Sequence, residues 1–368
     1  MVMLKKILRF PNYLILGLLV VLSIFIMTNS VKAEEPHQPT DEYCLSCHAE
    51  PDLNITLQSG ETLSLYVDPK QHSEAVHTDA GIECHACHTD ITTYPHPELL
   101  YTNARELSRN YYLACRQCHA INYEETLDSM HAQIAQEGNL DAPVCTDCHT
   151  AHYVKEPDNP RSLISETCGQ CHIEINETYI HSVHGGALIE EDNPDVPVCT
   201  DCHGVHNIHD PRTAQFRVET PELCAHCHAD QDLMNKYGLS SDVYDIYELS
   251  WHGVDVSVYK AIWPTIWHES AVCTDCHGVH NILSTENPES MVNPDNLLST
   301  CQQCHEGVGP NWTDAWTGHH EISLSRTPYL FYVDYFYKTF TYLVLGLSFI
   351  YVILQIIRNT GNRIRRST

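Results

Sequence analysis

The sequence predicts a mainly helical and irregular fold, with short helices, long coil and almost no sheet, followed by one C-terminal transmembrane helix. The chain has 18 cysteines among its 368 residues, far more than a domain with an ordinary aliphatic core. Proline and glycine are frequent between the cysteines, and the alternation of apolar and polar residues that marks strands is missing. Near the C-terminus, Thr339–Ile357 contains no charged residue. Something other than apolar side chains must therefore organise most of this chain.

The first 33 residues have the composition of a secretory signal peptide. They contain four basic residues and no acid, and an apolar run from Tyr13 to Met27 follows the early charges. Small residues then lead to Ala33, after which we expect cleavage. The alternative is an uncleaved anchor, because Phe10–Met27 is long enough to span a thin bilayer.

The other end of the chain predicts a transmembrane helix over residues 328–358. As a helix, the uncharged stretch would be about 28 Å long, close to the thickness of the hydrocarbon layer. Aromatic residues crowd its start, as in an interfacial belt, and four arginines without an acid follow it. The positive-inside rule then puts the basic tail 359–368 in the cytoplasm. Residues 34–327 are expected on the periplasmic or extracellular side.

Residues 34–327 are strongly acidic. They contain 11 basic and 47 acidic residues, which gives a net charge of −36. A nucleic-acid-binding protein needs a basic face to neutralise phosphates, so this function is excluded. The same charge argues against docking on anionic lipid.

Every cysteine belongs to a C-x-x-C pair, and every pair is followed by a histidine. The nine motifs, numbered in chain order, are Cys44, Cys47 and His48; Cys84, Cys87 and His88; Cys115, Cys118 and His119; Cys145, Cys148 and His149; Cys168, Cys171 and His172; Cys199, Cys202 and His203; Cys224, Cys227 and His228; Cys273, Cys276 and His277; Cys301, Cys304 and His305. In c-type cytochromes two thiols of this spacing bond to the two vinyl groups of a porphyrin, and the next residue brings an imidazole to the iron. Zinc or disulfide chemistry gives no reason for a histidine at that position nine times. The sequence therefore predicts nine covalent c-type haems and no disulfide.

The motifs form four paired repeats and a single last motif. A repeat reads C-x-x-C-H, then S-x-H, then C-T-D-C-H-x-x-H; repeat 3, from Cys168 to His206, is the clearest. Repeat 1 is looser, and motif 9 is followed by a pair of histidines and the membrane helix. Motif 9 is therefore expected nearest the bilayer.

The pattern also picks out a sixth ligand for each iron. The candidates are His77, His131, His184, His252 and either His319 or His320 after the first motif of each unit, His152, His206 and His280 at the end of C-T-D-C-H-x-x-H, and His96 in the first repeat. His72 competes with His77, and His85 competes with His96. Bis-histidine coordination follows, without the potential-raising methionine of other cytochromes.

Geometry limits which iron each candidate can reach. In C-H-x-x-H the second histidine lies three residues on, and on a continuing helix it shares a face with the first, so it should ligate a neighbouring haem. In repeats 2 and 3 the S-x-H histidine lies 12 residues after the motif histidine, and it could wrap round its own haem. His319 or His320 would serve motif 9. Asp147, Asp201 and Asp275 recur inside C-T-D-C-H, which favours a structural role such as capping a helix or orienting an imidazole.

With nine C-x-x-C-H motifs, S-x-H histidines and C-T-D-C-H-G-x-H pairs, residues 44–320 resemble the multihaem c-type cytochromes of respiring bacteria. The single C-terminal helix resembles that of membrane-anchored members that work beside a b-type cytochrome subunit. The resemblance implies electron transfer in anaerobic respiration, between the quinone pool and periplasmic or extracellular acceptors. Nitrite and tetrathionate reductases of this group commonly mark the active haem with C-x-x-C-K, which does not occur here.

Two functions follow from these observations. The first is a membrane-tethered electron carrier, not itself an enzyme, that receives or delivers electrons through a b-type cytochrome or another quinone-interacting subunit. A soluble or extracellular redox partner with a basic patch would complement its acidic surface. The alternative is a multihaem reductase of a small nitrogen or sulfur oxyanion at one haem with an open coordination position, and the irregular first repeat would be its place.

Overall fold

The computed structural model describes residues 39–91, 94–314 and 318–367, so the expected signal peptide lies outside the described residues. The chain divides into two compact units, one ending at Ala114 and the other beginning at Cys115. Each unit is described by itself below.

The N-terminal unit contains short helices and one small hairpin. Its helices are α1 (Asp41–His48), α2 (Pro69–Ser73), α3 (Val76–Asp79), α4 (Cys84–Cys87) and α5 (Ala104–Tyr111), and a 3₁₀ helix, Tyr112–Gln117, follows. Strands β1 (Asn54–Thr56) and β2 (Thr62–Ser64) pair antiparallel, with Ile55 opposite Leu63. Among the described residues this hairpin is the only sheet, which confirms the predicted fold class.

The C-terminal unit is helical and irregular throughout its described residues. Its helices are α6 (Ala120–Leu127), α7 (Met130–Gln136), α8 (Cys145–His149), α9 (Ser162–Gly169), α10 (Ile173–Ile180), α11 (Val183–Glu191), α12 (Cys199–His203), α13 (Ala214–His228), α14 (Gln231–Lys236), α15 (Val243–Glu248), α16 (Trp251–Ile262), α17 (Cys273–His277), α18 (Leu297–Gln302), α19 (Asn311–Asp314) and α20 (Pro328–Ser367). Most have one to three turns, which is too short to be stable without tertiary contacts.

Small apolar clusters replace one large core. Tyr179, Leu188 and Val198 form a buried cluster in repeat 3. Val218 and Val256 form the corresponding cluster in repeat 4 together with Val272. Each cluster joins the helix that carries the S-x-H histidine to the residue that precedes a C-T-D-C-H helix. The apolar contacts therefore position these histidine-bearing segments.

The serine of S-x-H is the N-cap of a helix. The hydroxyl oxygen of Ser129 accepts a hydrogen bond from the backbone N–H of Ala132, that of Ser182 from Gly185, and that of Ser250 from Gly253. Such a cap satisfies one of the unpaired N–H groups at a helix start. The S-x-H histidine consequently occupies the first turn of α7, α11 or α16.

The aspartate of C-T-D-C-H also caps its helix. Its carboxylate accepts the N–H of the preceding valine, at 2.6 Å for Asp147 and 2.7 Å for both Asp201 and Asp275. This is the capping alternative among the structural roles expected from the sequence. The carboxylate thus stabilises the start of the short helix that carries both cysteines and the proximal histidine.

The last helix, α20, is long and apolar. Among the described residues, Pro328–Asn362 is the one segment with the length and composition of a membrane span, and none of its apolar window is buried. The helix continues past the expected boundary at residue 358 and includes the basic segment as far as Ser367. This supports a candidate membrane anchor.

Candidate haem-binding sites

Histidine rings come together in pairs at a constant separation. Within the described residues, seven pairs join a motif histidine to one of the candidate sixth ligands. The pairs and their centroid separations are His48–His96 at 6.1 Å, His131–His172 at 6.2 Å, His149–His206 at 6.3 Å, His184–His228 at 6.2 Å, His203–His280 at 6.1 Å, His252–His305 at 6.1 Å and His277–His319 at 6.2 Å. Ordinary aromatic pairs spread over about 4.5–7 Å, so this uniformity needs a further cause.

One iron between two imidazoles accounts for the separation. A metal–imidazole bond is about 2.0 Å long and a ring centre lies about 1.1 Å behind its nitrogen, so two rings on opposite sides of one metal are about 6 Å apart. In every pair one member directly follows a C-x-x-C, which supplies the thiols for covalent attachment. The residues present therefore fit a c-type haem with two histidine ligands.

The S-x-H histidine faces the next repeat rather than its own first motif. His131 of repeat 2 pairs with His172 of repeat 3, and His184 of repeat 3 pairs with His228 of repeat 4. His252 continues the series by pairing with His305 of motif 9. The geometry therefore favours a haem of the next repeat as the partner of this histidine, rather than the haem of its own first motif.

Backbone hydrogen bonds hold consecutive repeats in this register. The N–H of Met130 donates to the carbonyl of Ile208 at 2.8 Å, and the N–H of Val183 donates to Ile282 at 2.9 Å. In both bonds the donor precedes an S-x-H histidine, and the acceptor lies two residues after the end of C-H-x-x-H in the next repeat. Each bond therefore brings an S-x-H histidine and the C-H-x-x-H histidine of the next repeat close to the junction between the two repeats.

The C-H-x-x-H histidine faces the preceding repeat. His206 pairs with His149, and His280 pairs with His203. The expectation of a neighbouring haem agrees with this geometry, but the helix does not continue as assumed: α12 ends at His203, and Gly204 has a φ of 82°. A positive φ is easily adopted by glycine, and the turn directs His206 away from its own motif.

The last two histidines differ from the expectation for motif 9. His319 pairs with His277 of motif 8, whereas motif 9 receives His252. His319 thus takes the place of the C-H-x-x-H histidine that a tenth motif would have provided. His320 is exposed and lines a cavity of about 250 Å³ together with Asp242 and Arg326.

In the first repeat the geometry favours His96 over His85. The ring of His96 stacks 27° from that of His48, and the Nδ1 atom of His48 lies 2.8 Å from the carbonyl oxygen of Leu65. Such a contact orients many metal-binding histidines. The Nδ1 atom of His85 lies 3.4 Å from the carboxylate of Glu83.

The remaining candidates lie outside the seven pairs. They are the motif histidines His88 and His119 and the distal candidates His77 and His152, each of which makes contacts of its own. His77 lies in α3, and His152 lies three residues beyond α8. His72 has its Nε2 atom 4.0 Å from the carboxylate of Asp41. Their coordination stays a prediction from the repeat.

Burial favours the neutral form of nine of the paired imidazoles. It lowers the pKa of His184 to about 4. Burial is also the main cause of the lowered pKa values of His131, His149, His203, His228, His252, His277, His280 and His319. Iron binds the neutral form of imidazole, so these histidines are ready to act as ligands at neutral pH.

The cysteine contacts give the order of the motifs in space. Inside each repeat the first cysteines of the two motifs are close enough to interact, as in Cys44–Cys84, Cys115–Cys145, Cys168–Cys199 and Cys224–Cys273. Between repeats the second motif approaches the next first motif, since Cys148 interacts electrostatically with Cys168, Cys202 with Cys224, and Cys276 with Cys301. Motifs 3 to 9 therefore follow one another in space in their sequence order.

Two arginines bind the capping aspartates. No sequence motif identified them. Arg217 donates two hydrogen bonds of 2.9 Å to Asp275 and two more to the carbonyls of His268 and Ser270. Arg161 donates to Asp201 at 2.7 Å and to the carbonyl of Val196. The segment 34–327 has only 11 basic residues. This scarcity was the one feature of the sequence that could have pointed to these arginines as partners of an acidic residue. These arginines neutralise a carboxylate beside a motif helix.

Comparison with known proteins agrees with these sites. The family described as "Doubled CXXCH motif" matches residues 131–177. No curated protein and no solved structure matches the chain. The matched segment begins at a distal candidate and includes motifs 4 and 5. Together with the repeated motifs, the match supports a multihaem c-type cytochrome that carries covalently bound haem and takes part in electron transfer.

Proposed function

We propose that the chain is a membrane-tethered electron carrier with nine bis-histidine c-type haems. It passes electrons between the membrane quinone pool and redox partners in the periplasm or outside the cell. A b-type cytochrome or a similar membrane subunit exchanges electrons with the quinone. The C-terminal helix α20 is the tether, and the acidic segment 34–327 is the electron-carrying part.

The observation that carries this proposal is the uniform separation of the histidine pairs. A haem held by two histidines changes between ferric and ferrous iron without a free coordination position, which suits electron transfer. The chain's own residues attach each porphyrin and keep the histidine-bearing segments in place through helix caps. Seven ring separations between 6.1 and 6.3 Å leave no room at those sites for a substrate between the rings.

The order of the motifs supports conduction along the chain. The cysteines of each motif from 3 to 8 interact with those of the next, and from His131 onward the paired distal histidines link one repeat to its neighbour. The haems of motifs 3 to 9 would then be close enough for direct electron exchange. Motifs 8 and 9 lie at the end that leads to α20, so we propose that electrons cross to the membrane partner there.

Spectroscopy of the full-length oxidised protein tests the carrier function. We expect electron paramagnetic resonance signals from low-spin ferric haem alone, and no shift of the spectrum on adding nitrite, hydroxylamine or tetrathionate. A high-spin signal that one of these compounds converts to a new species would contradict the carrier and favour the reductase. Reduction by quinol in membranes with and without the b-type partner then tests the route.

A further inference from the structure

The tryptophans of the chain are confined to one end of it. All five lie between residues 251 and 316, in repeat 4 and the segment after motif 9. The ring of Trp312 lies 5.3 Å from that of His305, and Trp251 directly precedes His252, the partner of His305. One tryptophan therefore lies beside motif 9 and another adjoins its distal candidate, next to the part of the chain that continues into the membrane helix. Tryptophan is enriched where proteins meet the membrane–water interface.

Helix α16 presents an apolar stripe to solvent. Trp251 is 90% exposed, and Val254, Val258 and Ile262 are exposed as well. Their spacing of three, four and four residues places all of them on one face of the helix. Leu249, just before the helix, is 84% exposed. The stripe is about three turns long, and the one charged residue beside it, Asp255, is paired with His268.

The opposite side of α16 is fixed to the rest of the unit. Gly253 and Val256 are buried, and Lys260 lies on the same side; this lysine and Asp255, which lies beside the stripe, are both in ion pairs. Lys260 pairs with Glu222 of α13, and Asp255 pairs with His268. The stripe is thus the outward face of a firmly packed helix.

The stripe lies close along the chain to the point where α20 begins. Ile246 of α15 and Arg326 both line the cavity beside His319. Pro328, the first residue of α20, is two residues after Arg326, and Trp251 is five residues after Ile246. At about 3.5 Å per residue, Pro328 lies at most about 7 Å from Arg326, and Trp251 lies at most about 18 Å from Ile246. The stripe is therefore within reach of the bilayer that α20 would enter.

We propose that Leu249, Trp251 and the outer stripe of α16 rest in the interfacial layer of the lipid bilayer, so that the haem domain lies against the membrane at motifs 8 and 9. This inference rests on the proposed membrane tether. An apolar stripe that begins with tryptophan and lies beside a membrane helix is the kind of surface that interfacial helices bury among headgroups. Since the domain is acidic, the lipid that it contacts is electrically neutral, such as phosphatidylcholine.

Photochemical labelling from the lipid tests this contact. The full-length, haem-loaded protein is placed in phosphatidylcholine vesicles that contain a photoreactive analogue with its diazirine near the headgroup, and labelled peptides are located by mass spectrometry. We expect label in residues 249–262 as well as in α20. Label confined to α20 would overturn the lipid contact while leaving the tether intact. Absence of label from α20 would overturn the tether itself.

Variants distinguish lipid contact from mere proximity. Replacing Trp251 and Val254 by serine should lower labelling of residues 249–262 by about tenfold, the effect of losing large apolar side chains from an apolar environment. Ile189→Ser alters an exposed residue of α11, the counterpart of α16 in repeat 3, and should leave the labelling unchanged. If the first variant loses haem, Val258→Ser and Ile262→Ser test the far end of the same stripe. Unchanged labelling in both variants would overturn the proposal. Loss of the label from residues 249–262 when the membrane partner is added would also overturn it, because the partner rather than lipid would then cover the stripe.

Discussion

The imidazole of His319 lies 6.2 Å from that of His277, with the two ring planes 22° apart. His319 belongs to a non-helical segment that leads to α20, whereas His277 ends the helix of motif 8. A ligand at this position would connect the haem of motif 8 directly to the connector before the membrane helix. The haem of motif 9 is held from the other side by His252. Two haems, rather than one, are therefore candidates for exchange with the membrane.

Replacing His319 tests this connection. His319→Ala should convert one haem from low-spin to high-spin, while His320→Ala should leave the spectrum unchanged, because only His319 faces a motif histidine. Reduction by quinol through the membrane partner should slow in His319→Ala, whereas small soluble reductants should still reduce the other haems. Equal spectra for the two variants at full haem content would contradict the assignment.

His184 tests the rule that S-x-H serves the next repeat. Its ring faces His228 of motif 7, so His184→Ala should produce one high-spin haem, at Cys224 and Cys227. His181→Ala is the matched control, since His181 is an exposed residue three positions earlier. Magnetic circular dichroism of both variants measures the change. A low-spin spectrum retained by His184→Ala would show that another group binds this iron.

The haem count follows from the nine intact motifs. Mass spectrometry of the mature protein should give the mass of the polypeptide plus nine haems, and alkylation should find no free thiol among the 18 cysteines. Peptides from each motif should carry one haem each. A smaller number, or a disulfide, would contradict the repeat argument.

Arg217 stabilises the helix of motif 8 through its contact with Asp275, and replacing this arginine tests that role. Its guanidinium is mostly buried and holds Asp275 and two carbonyls, so Arg217→Met should lower the free energy of unfolding by about 1–3 kcal/mol. Arg212→Met, which removes an exposed pair with Asp210, should lower the free energy of unfolding much less, because solvent screens an exposed ion pair. Thermal unfolding followed at the Soret band compares the two. A larger loss for Arg212→Met would contradict the proposed support.

The charge of the haem domain predicts a salt-dependent reaction with soluble partners. The net charge of −36 over residues 34–327, increased by haem propionates, attracts a basic surface through long-range electrostatics. Stopped-flow reduction of a basic partner should slow by about tenfold between low ionic strength and 0.5 M salt, because the screening length falls from about 30 Å toward a few ångströms. A neutral small acceptor is the control. A rate that does not depend on salt would rule out a charge-steered partner.

Much of the chemistry could be predicted from the sequence, because it depends on residues that are close along the chain. A C-x-x-C-H motif places two thiols and an imidazole around one porphyrin edge through local geometry alone. The serine of S-x-H and the aspartate of C-T-D-C-H act within three residues, so their capping roles are local as well. The long apolar helix α20 likewise follows from composition.

The choice of partner for each distal histidine was decided by tertiary structure. Twelve residues separate His172 from His184, and a chain of that length can return to its own haem or reach another. The bond from Val183 to Ile282 docks the start of α11 on the next repeat, and this directs His184 to His228. His319 shows the same dependence, since it is not part of a C-H-x-x-H sequence and only the folded chain brings it to His277. The sequence by itself determined which residues can bind haem; the packing of successive repeats decided which of them meet, because contacts between repeats are formed by residues far apart in the chain.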